Sequence, residues 1–196
     1  FQQPDGEFAS ANILGVNALH QGLEVDFTYR ASDKLTLTGM ASLGDWKWDS
    51  NVKDVPIFDE NNDLITTVNV IIDGLHVGDA AQTTFALGLN YDITKETTFT
   101  IDYNYFGDLY SDFDPSNRGS VGPDAWKVPN YNLFDSALRH KFKFGEFDAS
   151  IIGRVNNIFD VTYISDAQDR AGSVASTALV YYGAGRTFSI GAKINF

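Results

Sequence analysis

The chain has 196 residues, 14% of them aromatic, and carries 26 Asp and Glu against 14 Lys and Arg, a formal net charge of −12. That charge excludes a function driven by neutralising nucleic-acid phosphates. The absence of Cys removes disulfides, thiolate metal sites and thiol nucleophiles together. No uninterrupted run of about 18 apolar residues exists, which excludes a membrane-spanning helix but not membrane-spanning strands.

In chain order, the opening stretch "FQQPDGEFASANILGV" lacks clean alternation and begins without an initiator Met or a signal peptide, as expected of a processed chain or a piece of a longer one. Period-two alternation then starts. Leu23, Val25, Phe27 and Tyr29 alternate with Glu24, Asp26, Thr28 and Arg30; Leu35, Leu37, Gly39, Ala41 and Leu43 alternate with Thr36, Thr38, Met40 and Ser42. Phe85, Leu87, Leu89 and Tyr91 oppose Thr84, Ala86, Gly88 and Asn90, and Phe99, Ile101, Tyr103 and Tyr105 oppose Thr98, Thr100, Asp102 and Asn104. Between Tyr131 and Phe144, residues Phe134, Leu138, Phe142 and Phe144 share a face. From Phe147, Ala149, Ile151, Gly153, Val155 and Phe159 oppose Asp148, Ser150, Arg154 and Asn156. The terminal stretch sets Phe188, Ile190, Ala192, Ile194 and Phe196 against Ser189, Gly191, Lys193 and Asn195. These are seven strands, and a 3.6-residue period fits none of them better.

Each strand has one apolar and one polar face, which a soluble antiparallel sandwich would also show. Segment lengths of about 10 to 14 residues instead suit tilted membrane-spanning strands. Aromatics near the ends of the apolar face, read as Trp46, Trp48, Tyr103, Tyr105, Phe188 and Phe196, form the expected interfacial girdle. The connections alternate between short ("ASDK", "DITKE", "KFGEF") and long (49–79, 111–129 and 161–185). In bacterial barrels short turns are periplasmic and long loops extracellular. With the carboxy terminus periplasmic, the first strand starts near Asn17 outside the cell. An odd strand number with that start points to a carboxy-terminal fragment; an eighth strand in the opening stretch would make a self-contained barrel.

Three elements in order, "WKVPNYNLFDSALRHKFKF", "GRVNNIFDVTYISDA" and "YYGAGRTFSIGAKINF", resemble the last three strands of TonB-dependent outer-membrane receptors, and "HVGDAAQTTFALGLNYDI" resembles the descent from a late extracellular loop in a Bacteroidetes-like style. The resemblance rests on Asn157, Ile158, Phe159, Asp160 and Tyr163, then on Arg186, Thr187 and Phe188, and on the terminal Phe196. It implies an all-β antiparallel transmembrane barrel, of which residues 1–196 supply about seven carboxy-terminal strands of a probable 22, with plug domain and earlier strands absent. It also implies a place in the bacterial outer membrane and energy-coupled uptake of a scarce nutrient. The implied partners are outer-membrane lipid, the remaining strands and plug of the same receptor, and the TonB complex through that plug. A surface lipoprotein lid stays open, as does the cargo.

No catalytic constellation is expected. His20, His76 and His140 each stand alone, without a ligand-pair spacing, and read as structural or lumen-wall residues. "GAGR" lacks the glycines and the strand-to-helix setting of a dinucleotide loop. The acidic first loop (Asp49, Asp54, Asp59, Glu60, Asp63, Asp73 and Asp79 against Lys53) reads as solvated, and "DENND" lacks the Gly and terminal Glu of a calcium loop. "LITTVNVII" at 64–72 reads as a strand extension above the membrane. Glu24, Asp26, Arg30, Asp102, Asn104, Arg154 and Lys193 are expected to face the lumen. The chain is thus read as transporter rather than enzyme, with no cofactor and no identified metal. The alternatives are a passive porin or small self-contained barrel, then an outer-membrane enzyme, then a soluble carbohydrate-binding sandwich.

Overall fold

The computed structural model describes residues 10–11, 13–170 and 172–195. Twelve strands follow one another: β1 (Ser10–Ala11), β2 (Ala18–Arg30), β3 (Leu35–Trp48), β4 (Val52–Phe58), β5 (Leu64–Val70), β6 (Thr83–Asp92), β7 (Thr97–Gly107), β8 (Tyr131–Phe144), β9 (Phe147–Asn156), β10 (Ile164–Gln168), β11 (Leu179–Tyr182) and β12 (Thr187–Asn195). A single 3-10 turn at Pro115–Asn117 is the one helical element among the described residues.

Seven strands form one antiparallel sheet in the order β12-β9-β8-β7-β6-β3-β2. Sequence neighbours pair with sequence neighbours, an up-and-down meander with two outer strands left at its edges. Each of the seven wall strands overlaps one of the stretches read from alternation, and β2 and β3 run several residues farther toward the long loops. The register explains why the alternation is so regular. Leu23, Val25, Phe27 and Tyr29 lie directly opposite Leu43, Ala41, Gly39 and Leu37, and that row continues through Leu87 and Leu89 to Tyr103 and Ile101, then through β8 and β9 to Ile190 and Ala192. Directly opposed residues share a face, so one apolar surface runs unbroken across the sheet. Its side chains stay uncovered: Leu23 is 65% and Ile190 78% exposed. Gly39 has a role in that surface, because the Phe27 ring lies where any Cβ at Gly39 would sit.

Three links are tight. Arg30 joins Leu35 through 31–34, Asp92 joins Thr97 through 93–96, and Phe144 joins Phe147 through two residues, of which Gly145 has φ +62°, a left-handed conformation suited to glycine in a short hairpin turn. The other three connections are long and fold on each other. β4 pairs with β1 on one side and β5 on the other in a separate three-stranded sheet, and β10 and β11 pair with each other.

Three expectations change, and the alternative of an eighth wall strand has no counterpart among the described residues. Trp46 and Trp48 do not belong to the apolar girdle: parity from Thr36 to Ser42 continues without a bulge, placing both on the polar face, with Trp46 stacked on His20 at 5.2 Å and Trp48 edge-on to Phe113 at 5.7 Å. The 64–72 stretch does form a strand, but it pairs in the loop sheet and does not lengthen a wall strand. The described part of the opening stretch adds no wall strand, since Ser10–Ala11 pairs with β4. Finally, the loops are not simply solvated. Almost all the buried apolar side chains lie in them: Val55, Ile57, Val70, Ile72, Leu75, Leu109, Phe113, Ala125, Val128 and Ala167.

Candidate functional site

The polar face of the wall is built by the residues that alternate with the apolar row. Glu24, Asp26, Thr28 and Arg30 of β2 oppose Ser42, Met40, Thr38 and Thr36 of β3. Farther along, Asp102 of β7 lies opposite Asp135 of β8, and Gly88 leaves the space that the Asp102 carboxylate and the Thr38 hydroxyl occupy. Toward β12 the sign of the charge reverses. Arg139, Lys141 and Lys143 of β8, Arg154 of β9 and Lys193 of β12 all fall on this same face. Glu24, Asp26, Arg30, Asp102, Asn104, Arg154 and Lys193 therefore share the face expected of them.

The motif residues between β9 and β12 come together in a clamp at the base of the third long loop. Asn157 is buried and left-handed, with φ +50°, a conformation Asn tolerates better than most residues. Its amide group donates to the carbonyls of Val161 at 2.9 Å and Ala184 at 3.3 Å and accepts from the Val161 N–H at 2.8 Å. Its own N–H donates to the Asp135 carboxylate at 2.7 Å. Asp160 accepts from the Arg186 N–H at 2.8 Å, and Arg186 returns a bond to the Ile158 carbonyl at 3.3 Å. Tyr163 covers Gly183, where a Cβ would overlap its ring, and stacks on Tyr131 at 4.3 Å, which stacks on Phe106 at 4.9 Å. Phe159 meets Phe134 edge-on at 5.3 Å, and Phe188, largely exposed on the apolar face, lies 6.0 Å from the Arg186 guanidinium carbon. Phe196 lies outside the described residues.

The three long loops merge into one cap. Arg118 of the second and Asp169 of the third form a buried ion pair at 2.9 Å, their side chains 5% and 2% exposed. The second Asp169 oxygen accepts from the Ser111 hydroxyl at 2.7 Å, and Arg118 also donates to the Pro123 carbonyl and the Ser173 hydroxyl. Backbone bonds lock the same junction: Asp112 N–H to Ala167, Asp169 N–H to Asp112, and Ile71 N–H to Arg118. Gln82 fastens the first loop to β3, bonding the N–H and carbonyl of Trp46. No single residue type announces this junction in the sequence; Arg118 and Asp169 stand 51 positions apart.

Carboxylates also meet in the cap. Burial pushes Asp79 up to about 6, helped by Asp112 and by Asp166, whose side chain it hydrogen-bonds. Burial likewise raises Asp112, against the lowering effect of the Phe113 N–H. Asp59 instead caps its own turn, accepting from the N–H groups of Asn61 and Asp63.

The three histidines remain apart. His20 stacks on Trp46. His76 contacts Asp124 at 2.5 Å and stacks on Tyr110 at 4.1 Å, tying the first loop to the second. His140 sits on the apolar face and not on the lumen wall, because it shares parity with Leu138 and Phe142; its Nδ1 lies 2.9 Å from the Thr97 hydroxyl. Among the described residues, no three His, Asp or Glu side chains are grouped to hold a metal ion.

No protein-family model matches the chain, and no curated protein does. Solved structures do. The siderophore receptor PiuA from Acinetobacter baumannii superposes over 91% of this chain with a TM-score of 0.58 at 16% identity. The unliganded ferric citrate transporter FecA superposes over 91% with a TM-score of 0.63, also at 16% identity. The fold is that of a TonB-dependent receptor barrel. The seven-stranded sheet matches a segment of the walls of those two barrels, and this chain spans 22% and 24% of their lengths.

Proposed function

We propose that this chain supplies wall and extracellular cap to a bacterial outer-membrane transporter that imports a scarce nutrient with energy coupled through TonB. The observation that carries the proposal is the unbroken, uncovered apolar face across all seven wall strands, backed by a face of charges and small polar groups. A sheet in water would not leave such a surface open, whereas a barrel wall presents it to lipid and turns the polar face to the lumen. Residues 1–196 are then one carboxy-terminal stretch of a barrel of about 22 strands, with the plug and earlier strands contributed by other parts of the receptor.

The two matched receptors carry a siderophore and ferric citrate in their names, so a metal chelate is the cargo class to test before others. The clamp built on Asn157 and Asp160 is assigned a structural role, holding the entry of the third loop against β8 and β12. The chain is read as a non-enzyme, since the three histidines are dispersed and each has a local partner.

The test is uptake by cells expressing the full-length receptor, with and without TonB. Uptake that requires TonB, with little open-pore conductance in planar bilayers, supports the proposal. Uptake independent of TonB with a large steady conductance would favour a passive porin.

A further inference from the structure

The segments that close the cap meet at one point. Gly78 and Asp79 close the first long loop, Ser111 and Asp112 open the second, and β10 lies in the third. Gly78 lies so close to the Ser111 and Asp112 backbone that a Cβ there would come within 2.6 Å of the Asp112 nitrogen. Asp79 follows in a left-handed conformation, φ +67°, which Asp adopts more readily than most residues. Its N–H donates to the Tyr110 carbonyl at 3.2 Å, and the Asp112 N–H donates to the Ala167 carbonyl at 2.8 Å. The second loop is thus bonded by its backbone to both of the others. Among the described residues, no backbone bond joins the first loop to the third. Their direct polar contact is between two side chains, Asp79 and Asp166.

Two carboxyl groups hydrogen-bond to each other only when one of them carries a proton. The surroundings favour keeping that proton. Burial is the main cause that raises Asp79 to about 6, Asp112 and Asp166 add to it, and no Lys, Arg or His is among the groups acting on it. Asp112 in turn faces Asp166, Asp169 and Asp114. The neighbouring cations are engaged elsewhere: Arg118 with Asp169, Lys47 with Asp45, Lys127 with Asp108 and His76 with Asp124. Loss of the proton therefore replaces an attractive contact between two loops by repulsion among three carboxylates.

We infer that this junction is a proton-operated latch, in which Asp79 donates a hydrogen bond to Asp166 to hold the third long loop on the first, and deprotonation in a less acidic medium releases it. The latch follows from the contacts of the cap itself; that its opening regulates the mouth of a barrel rests on the receptor reading above. The value of about 6 for Asp79 in the joined cap lies above the ordinary 3.8. The stabilisation is therefore fully present below about pH 4 and is lost as pH rises through the higher value. Between pH 8 and pH 5 the ratio of latched to open cap rises by at most about tenfold, and by less to the extent that water screens the exposed side of Asp79.

Hydrogen exchange of the purified full-length receptor in detergent tests the latch. It is read at the amides of Asp112 and Asp169, which bond Ala167 and Asp112 across the second and third loops, and is corrected for intrinsic rates. The expected result is exchange several-fold slower at pH 5 than at pH 8. Asp166→Asn, whose amide donates to Asp79 without a titrating proton, should exchange at pH 8 as slowly as the wild type does at pH 5. Asp166→Ala should exchange at both pH values as fast as the wild type does at pH 8, and heat-modifiable mobility verifies that both variants fold. Equal exchange at pH 5 and pH 8 in the wild type, or an undiminished pH response in Asp166→Asn, would overturn the latch; TonB-dependent uptake by the same receptor would in that case leave the transporter reading intact. Slow exchange at pH 8 produced by added calcium, with the pH response abolished by EDTA, would put a cation in place of the proton between the loops and overturn the inference as well.

Discussion

Replacing Arg118 with Ala tests whether the long loops form one cap. Arg118 and Asp169 are almost wholly buried, so removing the guanidinium leaves a carboxylate whose remaining side-chain partner among the described residues is the Ser111 hydroxyl. Breaking a buried pair in this way costs about 3–5 kcal/mol. If that cost falls on opening of the cap, amide exchange at the junction should speed up by roughly two to three and a half orders of magnitude, at about 1.4 kcal/mol per tenfold. The reporters are the N–H groups of Ser111, Asp112 and Asp169, which bond Trp126, Ala167 and Asp112. Hydrogen exchange with mass spectrometry on the full-length receptor reads them by peptide. Asp169→Ala should act similarly, and the double variant should cost much less than the sum. Acceleration of less than about tenfold in Arg118→Ala, against the expectation above, would mean that the loops open independently and that the cap is not a cooperative unit.

Arginine at the lipid-facing Ile101 should impair insertion of the full-length receptor by about 2–4 kcal/mol if that position lies at the midplane, whereas arginine at the lumen-facing Asn104 should be tolerated; heat-modifiable mobility of the two variants compares them, and equal effects would reverse the faces. The cap should tighten as pH falls. The folded pKa of Asp79, about 6, lies above its ordinary value of 3.8, so the folded cap binds this proton more tightly than the open one. The stabilisation is absent at pH 8, grows as pH falls through 6, and levels off near 4. Exchange in the 161–185 loop, corrected for intrinsic rates, should therefore slow between pH 7.5 and 5.5, and Asp79→Asn should flatten that dependence; an unchanged slope in the variant would exclude Asp79 as its source. Asn157→Ala loses three side-chain hydrogen bonds and a tolerated left-handed residue, and should cost about 2–4 kcal/mol, seen as a lower unfolding temperature of the receptor, whereas a change below about 0.5 kcal/mol, the level of an ordinary surface substitution, would deny the clamp its role.

The wall was legible because its two faces meet different surroundings. Leu23 to Tyr29 and Phe99 to Tyr105 alternate for whole strand lengths, and short turns such as 31–34 separate them. Parity was the stronger signal even where residue type argued otherwise. Trp46 and Trp48 look like interfacial aromatics by type, yet continuing the count from Thr36 puts them on the polar face, packed on His20 and Phe113. His140 is the converse, a polar residue whose parity assigns it to the apolar face. The cap was much less legible. Its core is assembled from short pieces, Val55 and Ile57 in β4, Val70 at the end of β5, and Ile72, Phe113 and Ala125 in irregular chain, and no period links them. Its buried ion pair joins two loops that only the folded wall brings together. The clamp residues from Asn157 to Arg186 were visible as a motif, but the contact of the Asn157 N–H with Asp135 needed the register of β8.

Side-specific labelling of single cysteines tests the central claim most directly, in a full-length receptor with any Cys outside residues 1–196 replaced, because residues 1–196 contain no native Cys to interfere. Asn61, Ser116 and Ser176 are exposed in the three long loops, while Ser32 and Glu146 are exposed in the short turns. Ser173 is unsuitable, since its hydroxyl accepts from Arg118. With a membrane-impermeant maleimide on intact cells, Cys at 61, 116 and 176 should label, and Cys at 32 and 146 should label only after the outer membrane is broken. Labelling of Ser32→Cys or Glu146→Cys on intact cells, at the level of the loop positions, would contradict a wall that crosses the membrane with its cap outside.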